Sequence, residues 1–369
     1  MRREISCSLG RDALRQFASK NPVFVCVISY TATSEIPGIT IAGAAPEMIQ
    51  YTPPADAEFL YYGRCKCISS VPATPDGKPT PALITRTALR LGNIPFFVVD
   101  AGSKVKPSIP LISLDLKPGE NIEMHDAMSL SDAERALDHG RTLGKQLAKL
   151  SDMVVIGESI PAGTTTALAV LVALGMDAKF RMGSSMPTNP HELKNKVVST
   201  AIKRAGLKAG GVVSPLEAIS MFGDPMMPAL SGVAEGALSE GAKVMLAGGT
   251  QMAVALALLK MRGVSMRKLC VGSTTYIARD RTSDLPGLVK QIAPRVPLLY
   301  CDLRLDRSSK PGLRAFAEGF VKEGVGAGGA SITAMMGPRK ITGKKFLNAL
   351  EKEYESSIEA AFKGKASSL

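Results

Sequence analysis

Apolar runs alternate along the chain with breaks rich in glycine, proline and hydroxyl side chains. The sharpest instance is residues 152–174, which read DMVVIG, ESIPAGTTT and ALAVLVAL. Val154, Val155 and Ile156 favour extended backbone, Pro161 and Gly163 interrupt it, and Thr164 opens an apolar helix. The pattern predicts a buried strand, a tight turn and a buried helix. The crevice beyond the carboxyl end of such a strand is a usual ligand site in an open α/β sheet, and the N–H groups of the helix that follows suit a phosphate. Glu158 stands at the same edge.

The same reading organises the rest of the chain. A short helix precedes a strand over 23–30, loops and short strands occupy 34–50, and 59–62 reads as a second strand. A turn-rich connection at 72–81 leads to a helix over 81–91 and a strand over 95–100. Three prolines make 104–120 an irregular excursion, of the kind that binds a ligand or covers a site. Ser131, with Glu134 three residues later, reads as a capping box for a helix running to about residue 150. Beyond the central segment come a turn-rich loop at 182–189 and a helix over 190–205 with proline in its first turn. Asp224 caps a further helix to about 240. Strands over 243–247, 269–273 and 297–301 alternate with helices over 251–260 and 285–292, and 343–362 carries a charged amphipathic helix.

Repeated strand-helix spacing implies an α/β fold: a doubly wound, mostly parallel sheet with helices on both faces. At 369 residues the chain has length for a large core and a smaller helical domain. The expected division is a large α/β unit over 1–340, and a C-terminal helix in 341–369 that joins N-terminal helices in the smaller domain.

Composition narrows the function. The formal charge is +12, yet the basic residues are dispersed, aromatic residues make up 5% of the chain and Trp is absent. Stacking platforms for nucleic acid are therefore not expected, and the positive balance suits anionic small molecules. No apolar run is long enough to span a membrane. The six cysteines are scattered except for Cys65 and Cys67, and no signal peptide precedes them, so reduced thiols in a cytoplasmic protein are expected. His125, His139 and His191 show no ligand spacing, and a C-x-C pair is too small a set for zinc. Neither a metal nor a cofactor is expected.

Two carboxylates stand beside glycine-rich turns, Glu158 in GESIPAG and Glu323 in EGVGAGG. Glycines at 324, 326, 328 and 329 allow close approach of a ligand or positive φ. There is no Walker loop, and GVGAGG lacks the strand-turn-helix context of a dinucleotide fingerprint.

Five segments in order, IGESIPAGTTTALAV, MGSSMPTNPHELKNK, GDPMMPALSGVAEGA, KVMLAGGTQMAVALAL and KEGVGAGGASITAMM, span about residues 154–336. Together they resemble the nicotinate-nucleotide:dimethylbenzimidazole phosphoribosyltransferase family, in a divergent archaeal-type branch. The N-terminal half lacks the family's PPGSLG-type segment and its aspartate-histidine-glycine strand end. Pro161, Ala162 and the MGSSMP turn also depart from the familiar form. The resemblance implies transfer of phosphoribose from nicotinate mononucleotide to an aromatic base, with inversion at the anomeric carbon, giving an α-riboside phosphate for the lower ligand of a cobamide. It implies Glu323 as the general base toward the incoming base and Glu158 at the ribose and reacting centre. The implied substrate-binding set is Gly157, Gly163, Thr164, Thr165, Gly183, Ser184, Ser185, Lys196, Gly248, Gly249, Gly324 and Gly326. A homodimer is implied as well. The missing N-terminal motif leaves the acceptor open among benzimidazoles, adenine and phenols. A related transferase with another base or donor, and a non-catalytic nucleotide-binding or regulatory protein, are the competing readings.

Overall fold

A computed structural model describes residues 4–43, 45–74, 78–208, 210–211 and 214–360. Position 44 of the loop at 34–50, positions 75–77 of the turn at 72–81, and 361–369 at the end of the expected C-terminal unit lie outside the described residues. The strands are β1 (Ile5–Cys7), β2 (Pro22–Ile28), β3 (Phe96–Asp100), β4 (Ile112–Ser113), β5 (Met153–Ser159), β6 (Lys243–Ala247), β7 (Leu269–Thr274) and β8 (Leu298–Cys301). They form one sheet in the order β1-β8-β7-β6-β5-β2-β3-β4. Only β1 runs antiparallel to its neighbour. From β5 the chain winds one way through β6, β7 and β8; from β2 it winds the other way through β3 and β4. The seam between β2 and β5 is thus the topological switch point, where open α/β sheets bind ligands.

Both faces of the sheet are buried, and the side chains divide with the strand period of two. Val23, Val25, Val27, Val154 and Ile156 enter one apolar layer. Phe24, Cys26, Ile28, Met153 and Val155 enter the other. The first layer is covered by helices that include Leu130–Leu150, Gly163–Ala173, His191–Arg204, Met226–Ser239 and Met252–Met261. The second is covered by Thr52–Tyr62, Ala82–Gly92, Ala327–Met336 and Gly343–Tyr354. Gly343–Tyr354 lies on Ala82–Gly92, where Glu353 accepts from Arg86 Nε at 2.8 Å and from Arg90 Nη1 at 2.6 Å.

Several elements differ from expectation. Residues 59–62 are helical: Pro53 and Pro54 start the helix Thr52–Tyr62, and Gly63 ends it in the left-handed region at φ 67°. Its residues 53–60 are all buried, so no polar face marks the helical period. The cap expected at Ser131 is Ser129, whose hydroxyl accepts from Asp132 N–H at 3.0 Å. The helix Pro215–Phe222, with a capping box between Ser214 and Glu217, was not anticipated. Nor was the edge strand β1 ahead of the N-terminal helix Arg11–Gln16.

Helices Leu130–Leu150 and Met226–Ser239 touch backbone to backbone. A Cβ on Gly140 would overlap Ala229 O, one on Gly144 Val233 O, one on Gly232 Leu137 O and one on Gly236 Arg141 O. Glycine at a four-residue spacing on both helices permits this approach. In an open helix, Gly→Ala gains about 1 kcal/mol. Here Gly144→Ala is expected to reverse that sign and cost about 1–3 kcal/mol by overpacking. Urea unfolding of the two proteins checks it.

Candidate functional site

The carboxyl ends of β2 and β5 open into a cleft with a cavity volume of about 170 Å³. That is roughly ten times the 10–15 Å³ needed by one water, so the cleft suits a small organic ligand. Its walls come from four regions. Glu158 and Ser159 end β5 and residues 160–164 follow it; Gly183, Ser184 and Ser185 lie with Gly249, Thr250 and Gln251; Val321, Glu323, Gly324 and Val325, with Ile277, close one side. The remainder is N-terminal, including Ile39, Met48, Tyr51, Asp56, Val71 and Pro81.

Glu158 is the penultimate residue of β5 and is 2% exposed. Its Oε1 accepts a short hydrogen bond from Gln251 Nε2. Burial, and then the nearby carboxylates of Asp224, Glu323 and Asp56, push its pKa up to about 8. Glu323 sits at the start of the turn leading into Ala327–Met336. Its carboxylate accepts from Thr274 N–H at 3.1 Å and from Gly328 N–H at 3.1 Å. Burial raises its pKa to about 7, against the lowering effect of these backbone donors. The two glutamates are joined through the backbone, since Val325 N–H donates to Glu158 O at 2.9 Å.

Two further buried carboxyls were not singled out as site residues from sequence. Asp56 accepts from Thr80 Oγ1 at 2.6 Å and from Ser159 Oγ at 2.7 Å. Asp224 accepts from Thr166 Oγ1 at 2.7 Å. Burial raises each to about 6, opposed by these hydrogen bonds. Asp224 has a second role near the one expected of it, accepting from Met227 N–H at 3.3 Å beside the start of Met226–Ser239. Asp56 lies in PPADAEF, a stretch with no motif to betray it.

Lys78 lines the cleft, and a second lysine, Lys194, is buried directly behind the lining residues Thr164 and Gly183. Lys196, expected at the phosphate, is exposed on the same helix and lines none of the cleft. Lys194 is 0% exposed, and its ammonium donates to Thr164 Oγ1 at 2.8 Å and, in a shorter contact, to Gly183 O. Two positions along a helix turn a side chain by about 200°, so the residues face opposite ways. Burial, and then the charge of Lys322, lower the Lys194 pKa to about 7. Among the described residues its ammonium has no carboxylate partner. A buried cation bonded only to neutral oxygens, beside the first turn of Gly163–Ala173, is suited to an anion.

The expected set therefore divides. Glu158, Gly163, Thr164, Gly183, Ser184, Ser185, Gly249, Glu323 and Gly324 line the cleft. Gly157, Thr165, Lys196, Gly248 and Gly326 do not. Gly157 and Gly326 are packed on each other: a Cβ on Gly157 would stand 2.9 Å from Gly326 Cα. Gly248 turns behind Gly249, with Met252 Cε in the space a Cβ would take. Thr165 is buried one residue past the lining Thr164. Among the described residues no His, Cys, Asp and Glu cluster has the geometry of a metal site, and no helix is long and apolar enough to cross a membrane.

A sequence model described as phosphoribosyltransferase matches residues 85–279, more than half of the chain. The chain belongs to the phosphoribosyltransferase family. It is a transferase. Within this family, a UPF0284 protein of Archaeoglobus fulgidus is 50% identical over 95% of this chain and 98% of its own. UPF0284 proteins of Sulfurisphaera tokodaii and Methanothermobacter thermautotrophicus are 45% and 40% identical, over 90% and 88% of this chain and 93% and 90% of theirs. The fold is shared with a nicotinate-nucleotide-dimethylbenzimidazole phosphoribosyltransferase from Thermus thermophilus, at TM-score 0.61 and 17% identity over 93% of this chain and 90% of that one. It is also shared with CobT from the same organism, at TM-score 0.57 and 19% identity over 88% of each chain. These agree with the family and the doubly wound α/β fold expected from the five segments.

Two outcomes test the electrostatics. The Glu158 carboxyl binds its proton more tightly in the folded protein than at its ordinary pKa of 4.5. The stability it contributes is complete below that value and is lost as pH rises through about 8. Glu158→Gln is therefore expected to flatten the fall in Tm of the ligand-free protein across that window, read by thermal melts. Lys194→Met is expected to weaken binding of inorganic phosphate by about tenfold or more, the scale of one charge-assisted contact. Lys196→Ala should change it by less than about twofold, as for an exposed charge. Calorimetric titration of each variant reads both.

Proposed function

We propose that the protein transfers phosphoribose from nicotinate mononucleotide to an aromatic nitrogen base, forming an α-riboside phosphate for the lower ligand of a cobamide. The observation that carries this reading is the meeting of Glu323 and Glu158 in one cleft whose lining residues Thr164 and Gly183 are backed by the buried ammonium of Lys194. The bond from the anomeric carbon to the nicotinate nitrogen breaks, and nicotinate leaves with the electron pair. The acceptor nitrogen forms the new bond from the opposite face, which inverts the centre. Its proton passes to the Glu323 carboxylate, a general base whose pKa is close to neutrality. Positive charge grows on the ribose as nicotinate departs, and Glu158 stabilises it in its ionised form, whose share rises as pH approaches about 8. The phosphate is held by Lys194, by the hydroxyl-bearing turn at Ser184 and Ser185, and by the first turn of Gly163–Ala173, so its binding orients the reacting carbon.

The N-terminal wall supports a flat acceptor with an apolar edge. Ile39, Ile41, Met48, Val71 and Pro72 line it, with Tyr51 beside them. Such a wall suits the flat apolar ring of a benzimidazole. Action in the cytoplasm as a homodimer belongs to the same proposal, and sizing the purified protein in solution tests the assembly.

The test is a mass-resolved assay with nicotinate mononucleotide and a panel of benzimidazoles, adenine and phenols, following nicotinate release and riboside phosphate formation together. Product with a benzimidazole is expected. Product with another base selects a related transferase, and donor binding without product selects a nucleotide-binding role. Glu323→Gln is expected to lower kcat by about 10²–10⁴-fold, the span of general base catalysis, with donor affinity retained. Because the base acts deprotonated, kcat of the wild type at saturating donor should fall as pH drops through about 7. This acid limb should be absent from the residual rate of Glu323→Gln.

A further inference from the structure

Glu323 is carried on a backbone held away from ordinary conformations. Val321 and Val325 have φ of 46° and 52°, the left-handed region that β-branched residues disfavour, and Gly324 between them has φ 156°. Such a segment persists where its neighbours over-determine it. Val321 N–H donates to Ser185 O at 2.8 Å and Val325 N–H to Glu158 O at 2.9 Å, so both ends are tied to cleft residues. Lys322, between them, is gripped twice. Its carbonyl accepts from Thr274 Oγ1 at 3.0 Å, and its ammonium meets Asp280 Oδ2 at 2.5 Å with both side chains buried. The same Thr274 donates its N–H to Glu323. One strand end and the loop after the short helix Thr275–Ala278 thus hold Lys322 and Glu323 as a unit.

Asp280 is tied in turn to the turn at 183–185. It accepts from Thr282 N–H at 2.9 Å, Thr282 Oγ1 at 2.7 Å and Ser283 Oγ at 3.0 Å. Asn189 Nδ2 donates to Thr282 O and Oγ1, both at 2.8 Å, and Asn189 Oδ1 accepts from Ser184 Oγ at 2.6 Å. A continuous hydrogen-bonded path therefore runs from Ser184 to Lys322, beside the direct bond from Val321 to Ser185. A buried ion pair adds little net stability, because desolvation offsets the attraction. What this pair supplies is a fixed location for the residue next to Glu323.

We propose that Lys322 and Asp280 are a positioning pair that sets Glu323 in register with the phosphate turn, so that an anion bound at Ser184, Ser185 and Lys194 also orders the general-base loop. The inference rests on the transferase reading for what Glu323 does, and on geometry alone for the coupling. The double substitution Lys322→Met with Asp280→Asn removes both charges together, so no buried charge is stranded; the amide oxygen still accepts from Thr282 and the amide nitrogen donates to Ser283 Oγ. In the assay above, it is expected to lower kcat about tenfold or more, the scale of a sub-ångström misplacement, with KM for nicotinate mononucleotide within about threefold of wild type. Thr282→Ala, at an exposed position, removes the two hydroxyl links of the path and keeps its two backbone links, and should lower kcat in the same sense, by less. Wild-type kcat in both variants overturns the proposal.

Amide hydrogen exchange with inorganic phosphate gives a readout that needs no turnover. Phosphate should slow exchange at 183–185 and at 321–328 in the wild type, but only at 183–185 in the double variant. Equal protection of 321–328 in both proteins, or none at 183–185 in the wild type, overturns the coupling. Wild-type protein that shows the coupled protection without turning over any base overturns the transferase reading and supports this one.

Discussion

Everything at the cleft depends on how closely the helix Ala327–Met336 lies against the sheet. A Cβ on Gly328 would overlap the backbone of Ser273, and one on Gly329 would overlap Ala247. Gly157 and Gly326 remove the same obstacle at the central strand. With side chains at these positions the helix would ride outward, carrying Glu323 away from Thr274 and Glu158. The glycines of EGVGAGG are therefore chiefly a packing device, and the ligand site is its consequence.

That approach concentrates charge where water is scarce. Asp56, Glu158, Asp224 and Glu323 are all raised toward neutrality by burial, and Glu158 most, because the other three surround it. Lys194 is lowered toward the same range from the other side. Groups that titrate near neutrality exchange protons at little cost, the property that acid-base chemistry requires. The cost is spread over hydroxyl donors from Thr80, Ser159 and Thr166, which satisfy the carboxyl oxygens without adding charge. Carboxyls thus gather at the Glu158–Glu323 side of the cleft, and a buried ammonium stands behind the Thr164–Gly183 side.

Most of the sheet was legible because its strands are short apolar runs bounded by turn residues. β6, β7 and β8 fall within one residue of the pattern that announced them, and the strand-helix rhythm implied the parallel sheet. Legibility failed where burial was uniform. Thr52–Tyr62 has no polar face to display a helical period. β1 is three residues long, and β4 is two; both depend on a neighbouring strand for their hydrogen bonds. Ser129 and Ser131 offer equivalent local chemistry, and only the path of the preceding chain decides between them.

The site shows the same division. Glu158 and Glu323 stood out as carboxylates beside glycine-rich turns, a weak signal alone, and it was the resemblance of the ordered segments that singled them out. Choosing Lys194 over Lys196 required the orientation of a helix whose spacing allows either to face inward. Asp56 joined the site only when a helix from the N-terminal half came over the end of β5, a long-range contact that no local pattern encodes. The sequence by itself determined most of the central strands and helices and the family, and through the ordered segments it pointed to the two glutamates, since these rest on local propensity and segment order. Which lysine faces the cleft, which glycines pack and which line it, and how four carboxyls come to share one desolvated volume were decided by the tertiary structure, because each depends on distances between residues far apart in the chain.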